Sequence, residues 1–213
     1  MKKILSLTIF IVSAFSLFGQ NEFDSLLKVL DKTINLRPQY TEEKELHIGN
    51  LKKQLFYAST DEQKYEILGQ LFDQYKGYQM DSALNITNQR LTTAERQGIK
   101  KNISVAQMNL SEIMGMTGMY KEALDILEKQ DRKAFDREQL LYYYHLYHSI
   151  YVLMTNYSIS ENEKIHYEKL TYQYKDSILQ IIPSDDIGYA MVKSNQLLAI
   201  GNYEQALDIA SKC

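Results

Sequence analysis

The segment His145-Leu146-Tyr147-His148 is the first place where residue type and spacing could do chemistry. Two imidazoles at i and i+3 share a helical face and could hold a metal ion if His166 or Glu138 supplied a third ligand. No His-Glu-x-x-His pattern accompanies them, and Cys213 is the one cysteine. The pair therefore reads as the polar surface of a tyrosine-rich helix, with no metal expected. Tyr142, Tyr143, Tyr144, Tyr147, Tyr151 and Tyr157 cover most sides of that helix, and Leu140, Tyr144, Tyr147, Tyr151 and Met154 form one continuous stripe. A phenol has an apolar body and a polar tip. Tyr144, Tyr147 and Tyr151 are thus candidates for contact with a partner as well as for packing between helices.

Asp24-Ser25-Leu26, Asp81-Ser82-Ala83 and Asp176-Ser177-Ile178 repeat a second pattern. Asp and Ser are common where helices start, because their oxygens accept backbone hydrogen bonds. In certain secreting bacteria the same tripeptide resembles an O-glycosylation acceptor, provided that the serine is exposed. Enzymatic patterns are missing: there is no Gly-x-Ser-x-Gly, no phosphate-binding glycine loop and no dinucleotide fingerprint. Carboxylates alternate with lysines on helical faces, as in Glu45 before Lys52. No catalytic residue and no cofactor are expected, and the chain reads as a non-enzyme.

Those side chains need elements to carry them, and composition restricts the choice. Glycine and proline fill 9 and 2 of 213 positions, too few for the regular turns of a β-sandwich or barrel. Apolar residues make up 45%, enough for a core. The charge is −3 and the pI about 5.8, with no basic block, so a nucleic-acid footprint is lacking. Residues 1–19 combine Lys2-Lys3, an apolar run from Ile4 and a small residue at Gly19. That is the layout of a secretory signal peptide, too short to span a membrane, and it places the rest in the periplasm. Its loss would bring the balance to 22 basic against 27 acidic residues.

Beyond the leader, the spacing of apolar residues predicts successive helices. Phe23, Leu26, Leu30 and Ile34 mark a first, ending before Pro38, and Thr41 starts a second through Leu55; together they predict a helical hairpin over 20–58. Capping boxes are expected at Thr60/Gln63 and Ser160/Glu163, Gly77 is expected to close the third helix, and Ser184 or Asp185 to open the ninth.

The strongest signal is a repeat. Gly118-Met119-Tyr120-Lys121-Glu122-Ala123-Leu124-Asp125-Ile126 matches Gly201-Asn202-Tyr203-Glu204-Gln205-Ala206-Leu207-Asp208-Ile209. This is the junction between the two helices of a tetratricopeptide repeat: Gly118 and Gly201 end the first helix, Tyr120 and Tyr203 pack between the pair, and Ala123 and Ala206 let the backbones approach. A degenerate copy runs from Leu68-Gly69 through Gly77-Tyr78 to Ala83-Leu84. A longer pair without the signature fills 138–179. The prediction is an all-α, right-handed superhelix of antiparallel helix pairs over 59–213, about four repeats, with a groove for a peptide or protein partner.

With these residues in view, the chain resembles the extracytoplasmic part of a family of tetratricopeptide regulators anchored by one transmembrane helix. The resemblance rests on Leu30-Asp31-Lys32-Thr33-Ile34, Arg37, Tyr40, Lys44, Ile48 and Leu51-Lys52, continuing through Tyr75, Asp81-Ser82-Ala83 and Gly118 to Ala123. It implies a sensor that relays binding to a cytoplasmic helix-turn-helix, with the membrane span and further repeats following Cys213. A free periplasmic scaffold for envelope-protein assembly, and a glycan-binding accessory protein using Tyr144, Tyr147 and Tyr151, are the alternatives.

Overall fold

The structure is a computed structural model that describes residues 25–211. The leader expected over 1–19 lies outside the described residues, as do Phe23, Asp24 and Cys213. Every regular element among the described residues is helical. The chain divides into two compact units after Lys53.

The first unit holds α1 (25–35) and most of α2 (Arg37–Tyr57), separated by Leu36 alone. Leu36 N–H donates to Lys32 O, and Tyr40 N–H donates to Leu36 O, both at 3.1 Å, so helical bonding continues on either side. The expected hairpin turn is absent here. Proline is tolerated in a first helical turn, where its missing N–H would have no partner anyway, and Pro38 sits in the first turn of α2. Thr41 lies within that helix instead of capping it, its hydroxyl donating to Arg37 O at 2.9 Å.

The second unit is a stack of antiparallel pairs: α3 (Asp61–Tyr75) with α4 (Met80–Gln97), α5 (Lys100–Met116) with α6 (Tyr120–Glu128), α7 (Arg137–Tyr157) with α8 (Glu161–Ile181), and α9 (Ile187–Ala199) with α10 (Tyr203–Ala210). Successive pairs pack α4 and α7 against α5, α6 against α7, and α8 against α9. The pair that lacks the repeat signature is the longest, with 21 residues in each helix.

Helix ends follow local chemistry. Thr60 Oγ1 accepts Gln63 N–H at 3.2 Å, but the Gln63 side chain accepts from Ser59 N–H, one residue before the reciprocal position of a capping box. Ser160 precedes α8 without a side-chain cap, so the box predicted there does not form. The full box belongs to Asp136 and Gln139 at the start of α7. Asp186, not Ser184 or Asp185, opens α9, its Oδ1 accepting Gly188 N–H at 2.7 Å. Gly118 and Gly201 adopt φ of 85° and 77°, the left-handed region that ends a helix without the steric cost of a Cβ. Gly77 is not left-handed: Tyr78 and Gln79 N–H groups donate to Tyr75 O, and α3 ends in that turn.

The main core joins α5, α6 and α7 through Met108, Ala123, Leu127, Leu146, Tyr147 and Ile150. A smaller cluster of Tyr65, Ala94 and Ala106 ties α3, α4 and α5 together.

Candidate partner-binding site

A chain of polar side chains crosses four helices. Gly69 of α3 has no Cβ, and one placed there would lie 2.6 Å from Arg90 Nη2; the gap admits the guanidinium of α4. Arg90 lies over the Tyr65 ring, 4.3 Å from its centroid, and donates to Asn109 Oδ1 of α5 at 2.5 Å. A cation over a ring face is held by the ring quadrupole. Asn109 Nδ2 donates to the Tyr142 hydroxyl of α7 at 2.9 Å, and that hydroxyl donates to Glu112 Oε2. Lys76 Nζ lies 3.3 Å from Glu112 Oε1 and 3.3 Å from Asp73 Oδ1. Burial and the neighbouring Glu112 carboxylate hold the Tyr142 pKa well above the usual phenol value, so the phenol stays a donor.

Beside this chain lies a cleft of about 220 Å³ between α5 and α7. Its floor is Gly115, Leu146 and Ile150, its mouth Met116, Ser149 and Leu153, and its polar end Glu112, Tyr142 and His145. A Cβ on Gly115 would come 2.9 Å from Ile150 Cγ1, so a bare backbone here sets how closely α7 approaches α5. Burial lowers the His145 pKa and keeps the ring neutral near pH 7. A wider depression of about 380 Å³ touches Leu55, Lys64, Thr92 and Arg96. Arg96 there pairs with Asp61 at 2.9 Å, and Thr92 donates to Asn88 O.

The candidate tyrosines come together, but as packing between α7 and α8. Tyr147 stacks on Tyr174 with centroids 4.5 Å apart and planes 5° off parallel, and Tyr151 stacks on Tyr174 and Tyr167. Tyr147 is buried, while Tyr144 and Tyr151 are half-buried. A glycan platform needs open ring faces, and Tyr147 does not offer one. The sequence did not single out Tyr142, the tyrosine that reaches the cleft; its signal was present only as one ring in a crowded helix.

The two helical histidines diverge in surroundings. His145 lines the cleft, whereas His148 responds to Lys175 of α8 and its Nε2 is buried without a partner. Among the described residues no three metal-ligating side chains converge. In the repeat signatures Ala123 and Ala206 are buried as expected, but Tyr203 is 69% exposed and does not pack as Tyr120 does. Ser25 is exposed; Ser82 and Ser177 are half-buried, their hydroxyls donating to Gln79 and to Gln173 O. The exposure that O-glycosylation requires is thus met at Ser25 only.

Paired antiparallel helices, a left-handed glycine between partners and a small buried alanine in the second helix define a tetratricopeptide-repeat protein, a class whose members serve as protein-interaction modules and are generally non-catalytic. No curated protein sequence matches the chain significantly. The family model described as "SusR N-terminal TPR domain" matches residues 34–213, and the chain belongs to that family. The resemblance drawn from the opening residues and the repeats therefore stands.

Proposed function

We propose that this chain is the non-enzymatic, periplasmic sensor portion of a membrane-anchored regulator, and that it binds a peptide or protein partner along the faces of α3, α5 and α7. The observation that carries the reading is the α5–α7 cleft: an apolar floor with a half-buried, hydrogen-bonded polar end, as expected of a site that fixes a ligand's orientation. The family membership supports an interaction role, and the leader-like sequence over 1–19 supports the periplasmic address. Transcriptional relay would run through a segment outside this sequence.

A photo-crosslinking residue at exposed Ser149, introduced in living cells, tests the binding face. The expected result is a discrete adduct that disappears when Leu153→Asp is added. Adducts from exposed Glu95 on α4, with none from Ser149, would overturn the assignment. Protease accessibility in spheroplasts tests the address, and release of the protein free of the membrane would favour the scaffold reading instead.

A further inference from the structure

We propose that the α5–α7 cleft selects a peptide segment in which an aliphatic side chain stands next to a lysine or arginine; this rests on the peptide-binding reading above. The first half follows from volume and lining. About 220 Å³ over Gly115, Leu146 and Ile150 suits one leucine-sized or methionine-sized side chain, and the floor offers it no polar partner. Met116, 45% exposed at the mouth, can adjust to the shape of what enters.

The second half follows from charge at the polar end. The Glu112 side chain is 20% exposed, and its oxygens are engaged by Tyr142 and Lys76. A carboxylate has about four lone-pair sites, so Glu112 retains accepting capacity toward the cleft. Tyr142 commits its one proton to Glu112 while accepting from Asn109, which makes it a positioning residue for that carboxylate. Lys76 bridges Glu112 and the largely exposed Asp73, and Arg90 sits further back behind Asn109, so Glu112 is the one acidic side chain in the lining of the cleft. No lysine or arginine lines the cleft among the described residues. A cationic residue beside the anchoring side chain gains a charge-assisted bond, and an acidic one is repelled.

The test is a selection of random 12-residue peptides on phage against the purified full chain, followed by fluorescence polarisation with the enriched peptides. The expected winners carry an aliphatic residue adjacent to Lys or Arg. Each should lose about tenfold in affinity when that basic residue becomes Glu, and a similar factor against Glu112→Gln or against Ser149→Trp, which fills the mouth from an exposed position. Circular dichroism melts establish that both variants fold. Peptides that bind but keep their affinity for both variants, or that need no basic residue, overturn the selectivity while leaving peptide binding intact. Failure to enrich any peptide overturns both readings. Self-association that Ser149→Trp abolishes assigns the cleft to a second copy and overturns the peptide occupant.

Discussion

The segments starting at Gly118 and at Gly201 have the same pattern 83 residues apart, and their surroundings differ. Locally they agree: both glycines are left-handed, and Ala123 and Ala206 are 0% and 2% exposed within their own hairpins. Beyond the hairpin they part. Met108 on α5 is fully buried, but its counterpart Met191 on α9 is 60% exposed. Tyr120 and Leu124 pack into the core formed with α7, whereas Tyr203 and Leu207 are open. Gly115, the slot for Ile150, corresponds to Leu198, which is half exposed. The signature thus specifies the turn and the close approach within a pair. What covers the pair is specified elsewhere, by the residues of α7.

Exchanging residues between the two copies would break or sharpen that distinction. Gly115→Leu should be the most damaging change, about 3 kcal/mol, because the new side chain occupies space held by Ile150 and helices α5 and α7 must separate. The reciprocal Leu198→Gly should cost no more than about 1 kcal/mol, the helix propensity of glycine on an open face. Urea denaturation followed by circular dichroism measures both. Equal losses would mean that the α9 face is covered in solution. Met108→Ala comes next, at roughly 2 to 3 kcal/mol for a cavity in the core, against about 0.5 kcal/mol or less for Met191→Ala. A smaller and more even effect is expected from Gly118→Ala and Gly201→Ala. Each forces a Cβ into the left-handed region at about 1 kcal/mol, whatever covers the hairpin. A large difference between those two would show that packing, not the turn, sets the glycine requirement.

The same division explains what was legible in the sequence. Helix pairs, their glycine turns and the buried alanines were readable, since each depends on residues within a few positions of one another. The first helix ends before Pro38 as its spacing predicts, but α2 begins at Arg37 and not at Thr41, because a proline also suits a first helical turn and only the backbone decides. Ser160 and Glu163 had the letters of a capping box, but the geometry does not form it; Asp136 and Gln139, with a less conspicuous pair of residue types, do. The site was harder to see. Tyr147 stands out in a stripe that packs on α8, whereas nothing local marks Tyr142, which joins Asn109 and Glu112 from 33 and 30 residues away. Gly69 and Gly115 look alike in sequence to any helical glycine. Their purpose is visible only once Arg90 and Ile150 occupy the space they leave.

The effect that is smallest at neutral pH concerns acid stability, and again it belongs to the covered region. The α9–α10 pair contains no histidine, while α7 carries His148 with its Nε2 buried and unpartnered. Burial, with Lys175 and His145 nearby, pulls its pKa down to about 4 from the usual 6.5. Between those values the unfolded chain binds a proton that the folded chain refuses, so stability falls as pH drops from about 6.5 toward 4 and this contribution levels off below that. The Asp136 carboxyl, held low by the Gln139 N–H and by Lys101, loses its stabilisation only as pH falls below the ordinary carboxylate range, a separate and lower window. His148→Gln removes the first effect and leaves the second. Urea midpoints at pH 7, 5.5 and 4 should therefore show the variant gaining on the parent as pH falls, with most of the gain above pH 4. A constant difference across that window would mean that water reaches the His148 ring and that the α7–α8 seam is looser than its stacked tyrosines imply.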